Sequence, residues 1–233
     1  TLSADGMSLL VGAATPGALE FIDQSGLDPA AQQAARLELG HQEVRTPFDL
    51  QKGPLFRARL VKLNDRQHYV VLTAHHIVFD GWSNAVLVAD WAALYAQRLG
   101  VAPAPDPAPS FAEYARTQST LPPEEGYADE AYWLQRFQSG VPTNVDLPSD
   151  RLRPPLKSYC ASRVDLHLDS ELVTALRRTG ATFKASLFAT LFGAFNVLVN
   201  RLSQQEDLVV GIPAAGQSQG DYGGLVGHCV NML

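Results

Sequence analysis

The chain has 233 residues, of which 46% are hydrophobic and 18% are charged, so it can bury a hydrophobic core in one large domain or two smaller ones. Its formal net charge of -6 and its pI near 5.4 argue against binding to a nucleic-acid backbone, which requires a clustered excess of Lys and Arg. The two cysteines are too few for a disulfide framework, and neither a signal peptide nor an apolar run of the ~18 residues needed to span a membrane is visible, so we expect a soluble, cytoplasmic protein without a membrane partner.

Helices and strands alternate along the sequence, which predicts an α/β fold class. Two short strands joined by a turn at Asp5-Gly6 open the chain, and a Pro-Ala stretch from Gly100 is a surface crossing. Further strands are predicted over residues 55–63, 67–73, 162–168 and 206–213, and helices over residues 29–43, 83–99, 111–138 and 186–202, with one more opened by Asp169 and Ser170. We expect Asp65-Arg66 to form the turn of a hairpin and Ser83 to cap its helix.

The stretch LTAHHIVFDGWS, residues 72–83, places two adjacent histidines at the end of a predicted strand. Because neighbouring strand residues point to opposite faces, His75 and His76 are expected to have different roles. A neutral imidazole in a cleft can accept a proton near neutral pH, which makes His76 the candidate general base. Asp80, four residues further on, either orients that ring or makes a structural ion pair that shapes the loop.

The two residues after Asp80 favour a tight, well-packed turn. Gly81 permits a positive φ or a close approach of the backbone, and Trp82 is expected to add a large buried surface. Such a turn is more typical of a functional site than of a core histidine on a plain strand.

Two other kinds of chemistry are weaker candidates. A metal site built from His75, His76 and Asp80 conflicts with the opposite faces of the two histidines, and the remaining histidines show no ligand spacing with them, so no metal is predicted. GQSQG, residues 216–220, matches the G-x-S-x-G nucleophile elbow, but the flanking residues favour a glycine-rich loop. Cys229 has no supporting partner and is predicted to be a buried apolar residue.

Five segments in the same order resemble motifs of the condensation domains of nonribosomal peptide synthetases. HHIVFDG resembles the HHxxxDG signature of that family. The others are PFDLQKGPLFRARL, similar to PFDLxxGPLxR; SFAEYARTQ, similar to YxDYAxWQ; LPSDRLRP, similar to LPxDRxRP; and GLVGHCVNML, similar to IGxFVNTLPLR. They cover nearly the whole chain.

The resemblance implies a chloramphenicol acetyltransferase-like fold, a pseudodimer of two α/β lobes with a tunnel between them. By that comparison, residues 1–144 are the N-terminal lobe without its start, and residues 145–233 are the beginning of a C-terminal lobe whose remainder is missing. The chain is therefore expected to be a stretch of a larger polypeptide.

The implied activity is amide bond formation between a donor acyl or peptidyl thioester and an acceptor aminoacyl thioester. Both would be carried on phosphopantetheine arms, delivered by an upstream donor carrier domain and a downstream acceptor carrier domain, with an adenylation domain adjacent. The domain itself is expected to bind no cofactor. The second histidine of the motif maps to His76, as general base towards the amine or as stabiliser of the tetrahedral intermediate.

Asp80 and Gly81 complete the predicted catalytic set with His76, while His75, Trp82 and Gln217 are predicted to be structural at the site. Asp80 maps to the aspartate that pairs with an arginine, and Gly81 to the glycine that keeps the channel open and offers its backbone N–H to the intermediate. Many relatives carry that arginine where this chain has Gln217, in PAAGQ. We therefore expect either a neutral hydrogen bond from Gln217 or a replacement by Arg151 or Arg153, with Asp80 buried and bonded in either case.

The motif also separates functions within and beyond the family. Epimerisation relatives usually have VSWR-like residues after the aspartate, and heterocyclisation relatives replace both histidines by aspartates. A non-catalytic module that recruits another protein usually lacks the second histidine. Intact His76 and DGWS favour ordinary condensation, with a stand-alone HxxxD acyltransferase that uses a soluble acceptor as the alternative and an α/β-hydrolase last.

Overall fold

The structure is a computed structural model that describes residues 1–12, 19–120, 123–141, 145–152, 154–158, 161–218 and 220–233. Arg153 and Cys160 lie outside the described residues, as does residue 144 at the expected lobe boundary. The chain divides into two compact units, one of residues 1–122 and 212–233 and the other of residues 123–211. The expected boundary between lobes after residue 144 stays a prediction.

Helices and strands are mixed, in agreement with the predicted α/β class. Within the described residues the helices are α1 (Pro29–Arg45), α2 (Gly81–Arg98), α3 (Phe111–Ser119), α4 (Pro123–Arg136), α5 (Ser170–Thr182) and α6 (Leu187–Ser203). The strands are β1 (Glu20–Asp23), β2 (Phe56–Asn64), β3 (Gln67–Ala74), β4 (Pro213–Ala215) and β5 (Val230–Met232). The single helical block expected over 111–138 is two helices, α3 and α4.

The first unit is built around a three-stranded sheet in the order β1-β2-β3. β2 and β3 are antiparallel and are joined by a turn at Asp65-Arg66, which confirms the predicted hairpin. β1 pairs in parallel with β2 and was not predicted, because its four residues show no alternating pattern. The buried Glu43 of α1 binds the guanidinium of Arg57 on β2 at 3.1 Å, which ties the helix to the sheet. This sheet carries the two histidines at the end of β3.

The second unit contains α4, α5 and α6. Asp169 and Ser186 cap α5 and α6, each accepting a hydrogen bond from the backbone N–H three residues on. The two helices approach closely at Gly180, where a Cβ atom would collide with the side chain of Thr190. Among the described residues, no single helix is long and apolar enough to cross a membrane. α5 and α6 together meet the length and composition but are bent by 96°.

Two predicted strands are wrong. Residues 162–168 form neither helix nor strand and are exposed, and of residues 206–213 only Pro213 belongs to a strand. β-branched and apolar residues favour a strand only where a neighbouring strand accepts and donates backbone hydrogen bonds. At the start of the chain, the expected strand pair is reduced to one bridge between Leu2 and Leu9.

Candidate active site

Asp80 begins helix α2. Its carboxylate Oδ1 accepts a hydrogen bond from the backbone N–H of Ser83 at 2.8 Å, the contact that defines an N-cap residue. The prediction that Ser83 caps this helix is wrong, because Ser83 is the third helical residue. Its hydroxyl instead lies 2.8 Å from the same Asp80 oxygen.

The second oxygen of Asp80 is bound by a segment far away in sequence. Oδ2 accepts hydrogen bonds from Gln217 Nε2 at 2.8 Å and from the backbone N–H of Cys229 at 3.0 Å. Asp80 is only 3% exposed, so the expectation that its carboxylate is buried and bonded is confirmed. Among the described residues of this unit the donors are all neutral, and Gln217 supplies the neutral hydrogen bond that was one of the two expectations. A contribution from Arg151 or Arg153, which belong to the other unit, stays a prediction.

The hydrogen bonds to Asp80 determine its charge. Burial raises the pKa of the carboxyl, but hydrogen bonds from Gln217, Ser83 and Cys229 outweigh burial and hold the pKa at about 2. Asp80 is therefore ionised at neutral pH and has no proton to give or relay. Its hydrogen bonds hold the backbone of Ser83 and Cys229 and the side chain of Gln217 in place.

Ser83 adds a second link to the same distant segment. Its Oγ accepts a hydrogen bond from the backbone N–H of Gly227 at 2.9 Å and also lies 2.9 Å from the carbonyl oxygen of Gly227. Asp80 and Ser83 together fasten residues 227 and 229 to the start of α2. His228 lies between these two fastened residues.

The two histidines of the motif have different neighbours. The backbone N–H of His75 donates to the carbonyl of Leu55, its Nδ1 accepts from the N–H of Ile77, and its ring meets the edge of Phe48. His76 begins a single 3₁₀ turn after β3, and its ring is exposed. His75 thus holds the end of the strand, while His76 faces solvent. The catalytic assignment of His76 stays a prediction.

The ring of His76 contacts a histidine that the sequence did not single out for the site. His76 Nδ1 lies 3.2 Å from His228 Nδ1, and the two rings meet edge to face at 5.1 Å between centroids. The residues are 152 positions apart, so no local spacing could pair them. The available signal was the His-Cys pair in GHCVN, where the family motif has GxFVN. The described residues hold no group of three or more His, Cys, Asp or Glu side chains placed to bind a metal.

Two expectations about the turn are corrected. Gly81 has no positive φ, and a Cβ atom there would meet nothing within 4 Å, because Gly81 is simply the first helical residue and faces open space. Trp82 is 39% exposed rather than buried. Its position is fixed by a hydrogen bond from the indole N–H to the carbonyl of Gly223, at 2.8 Å. The channel role that the resemblance implies for Gly81 stays a prediction.

The alternative nucleophiles are not placed for chemistry. Gly216–Ser218 form a 3₁₀ turn in which Ser218 Oγ donates to the carbonyl of Ala215, and the strand before it has only three residues. A nucleophile elbow needs a strand running into a helix, whereas residues 216–218 form only a short turn; Gln219 of the motif lies outside the described residues. Cys229 is buried as predicted, and burial raises the pKa of its thiol to about 11, which leaves little reactive thiolate.

Comparison with known proteins identifies relatives for the whole chain. The condensation-domain family model matches residues 7–233. Malpibaldin synthetase of Mortierella alpina is 36% identical over 201 residues, which are 84% of this chain and 4% of that protein. Chondramide synthase of Chondromyces crocatus is 33% identical over 235 residues, which cover 100% of this chain and 6% of that protein.

A solved structure agrees with these sequence matches. The first condensation domain of the CDA synthetase is 25% identical, with a TM-score of 0.69, and the match covers 100% of this chain and 50% of that one. The chain thus spans less than a tenth of the two synthetases and about half of this solved structure.

Proposed function

This chain belongs to the condensation-domain family, and from that premise we propose that it forms amide bonds in nonribosomal peptide or hybrid peptide-polyketide biosynthesis. Membership also confirms the chloramphenicol acetyltransferase-like fold class, with this chain covering about half of the two-lobed structure. The proposed substrates are a donor acyl or peptidyl thioester and an acceptor aminoacyl thioester. Carrier domains deliver both on phosphopantetheine arms, next to an adenylation domain.

The observation that carries this proposal is an exposed imidazole beside a buried, ionised anchor. Within the described residues, the His76 ring is hydrogen-bonded through Nδ1, which leaves Nε2 for a substrate. The loop that begins at His76 ends at Gly81, which is exposed and presents no side chain to an approaching tethered arm. Asp80 fixes this loop.

The proposed reaction joins the acceptor nitrogen to the donor carbonyl carbon. The amine attacks the thioester carbonyl, the C–N bond forms, and collapse of the tetrahedral intermediate breaks the C–S bond and releases the donor arm as a thiol. His76 Nε2 accepts the proton that the attacking nitrogen must lose and passes it to the leaving sulfur, which regenerates the neutral imidazole. An α-amino group has a pKa of about 7.7–8.0, so part of the acceptor is already neutral, and the proximity of the two tethered groups supplies much of the rate.

The test compares His76→Ala with His41→Ala, which removes another exposed histidine on α1. Loaded donor and acceptor carrier domains are mixed with each variant, and amide product on the acceptor is followed by intact-protein mass spectrometry. Loss of a general base is expected to slow product formation by about 10²-fold or more, while the control keeps the wild-type rate.

Urea unfolding curves check that both variants remain folded. A folded His76→Ala protein that condenses at the wild-type rate would overturn the role of His76. Transfer of the acyl group to a free amine rather than to the loaded carrier would show the soluble-acceptor alternative. Absence of product with the wild-type protein would favour a recruitment module.

A further inference from the structure

We propose that His228 is a positioning residue for His76, which holds the His76 ring with a proton on Nδ1 and an unprotonated Nε2 facing the substrate. This inference rests on the proposed function, because it assigns the source of the base form of His76. It assigns a role to His228 at the variable position of GHCVN, which the motif resemblance leaves without one.

His228 is presented from a segment that is fastened on both sides. The preceding residue, Gly227, is held through its N–H by Ser83, and the following residue, Cys229, through its N–H by Asp80. Both flanking residues are buried, whereas His228 is exposed. A side chain between two such anchors starts from a fixed backbone position, and its ring is then placed by the contact with His76.

The packing of Gly227 makes this placement more restrictive. A Cβ atom at Gly227 would collide with the ring of Phe111, so only glycine lets the segment lie this close to α3. The close approach positions the backbone, and the hydrogen bonds to Asp80 and Ser83 hold it there. The close approach at Gly227 and these hydrogen bonds together bring His228 to within hydrogen-bonding distance of His76, although the two residues are 152 positions apart in sequence.

Only one proton can lie between the Nδ1 atoms of His76 and His228. The two Nδ1 atoms are 3.2 Å apart, and a neutral imidazole carries a proton on only one of its two nitrogens. If His76 Nδ1 donates and His228 Nδ1 accepts, the lone pair of His76 is on Nε2. In the reverse arrangement His76 has no lone pair available to a substrate.

Proton transfer selects the first arrangement. When Nε2 takes the proton from the attacking amine, His76 becomes an imidazolium whose Nδ1–H continues to donate to His228, so the contact is kept through the reaction. The reverse arrangement would place two N–H groups against each other at that step. The His228 imidazole thus orients the His76 ring by accepting its Nδ1–H, as a carboxylate does in a hydrolase triad, but without adding a negative charge.

Asp80 contributes to the position of the His76 ring through the segment that carries His228. Asp80 does not touch the His76 ring among its hydrogen bonds, which go to Ser83, Gln217 and Cys229. It acts through the segment that carries His228. The aspartate four residues after the histidine therefore positions the ring indirectly.

The experiment uses His228→Leu and His228→Asn. Asn carries an amide oxygen close to the position of the histidine Nδ1 and can accept the same hydrogen bond, whereas Leu fills the space without a polar atom. Loss of an orienting partner typically lowers activity by about 10- to 100-fold, so we expect that loss in the single-turnover rate for Leu and largely restored activity for Asn. Half-saturation by the acceptor carrier should be unchanged in both.

A second readout is independent of catalysis. Nitrogen-15 NMR of histidine-labelled protein, with the His76 signals assigned from their loss in His76→Gln, reports which ring nitrogen carries the proton. We expect an Nδ1–H form in the wild type and in His228→Asn, and an Nε2–H form in His228→Leu. A wild-type His76 protonated on Nε2, or a His228→Leu variant with unchanged rate and tautomer, would overturn the inference. Because the tautomer is measured without substrate, this result stands apart from failure of the proposed reaction.

Discussion

Replacing Asp80 by Asn should destabilise the protein strongly, although the change removes only one charge. The carboxyl has a pKa of about 2 in the folded protein against 3.8 for an unperturbed aspartate. Each tenfold difference in proton affinity corresponds to about 1.4 kcal/mol, so ionised Asp80 contributes on the order of 2 kcal/mol to the free energy of unfolding. The side-chain amide N–H group of Asn would also face neighbours that are themselves hydrogen-bond donors. The expected decrease in the free energy of unfolding at pH 7 is therefore about 2–4 kcal/mol.

The destabilisation should depend on pH in one direction. The pKa of Asp80 is lower in the folded than in the unfolded chain, so its contribution is fully present above the unfolded value and is lost as pH falls from 3.8 towards 2. The difference in stability between the wild type and Asp80→Asn should therefore shrink by about 1 kcal/mol between pH 7 and pH 3.

Urea unfolding followed by tryptophan fluorescence at both pH values measures the difference. Asp106→Asn is the matched control, because Asp106 is exposed in the Pro-Ala stretch, and it should change stability by less than about 0.5 kcal/mol. An Asp80→Asn protein as stable as the control at pH 7, or a stability difference that is the same at pH 3, would refute the view of Asp80 as an ionised anchor.

Two further predictions concern the contacts around Asp80. Gln217→Glu places a second buried carboxylate against Asp80 and should lower the free energy of unfolding by about 3–5 kcal/mol at pH 7. Gln217→Leu only removes one donor and should lower it by about 1–3 kcal/mol. Equal losses for the two variants in urea unfolding would contradict this order. Gly227→Ala forces a methyl group into the ring of Phe111 and should lower the free energy of unfolding by about 1–3 kcal/mol. Gly223→Ala is the control and should be nearly neutral, because a Cβ atom there meets nothing within 4 Å. A lower melting temperature for Gly223→Ala than for Gly227→Ala would contradict the close approach of Gly227 to Phe111.

Local signals predicted most of the helices and the hairpin. Residues 29–43 and 186–202 carry continuous helical spacing, and the hairpin turn at Asp65-Arg66 separates two patterned strands, so each element could be recognised from its own residues. Residues 162–168 and 206–213 failed because a strand depends on a partner that the sequence does not name. Short apolar runs without that partner remain irregular.

The sequence predicted the site residues that belong to the motif but not the histidine that contacts them from a distant segment. The motif located His76 and Asp80, and the departure at Gln217 indicated a neutral partner for the aspartate, which the structure contains. His228 was not predicted, because its contact with His76 joins residues far apart in sequence. The assignment of the helix cap to Ser83 failed for a related reason: both Asp80 and Ser83 are good capping residues, and only the geometry shows that Asp80 comes first.

We propose that this chain transfers an acyl group between two tethered substrates to form an amide. The most direct measurement is the mass of both carrier domains after a single turnover with the wild-type protein. We expect the donor carrier to lose its acyl group and the acceptor to gain the same mass, joined as an amide to its tethered amino acid. A donor carrier that keeps its acyl group while the acceptor is unchanged would contradict it.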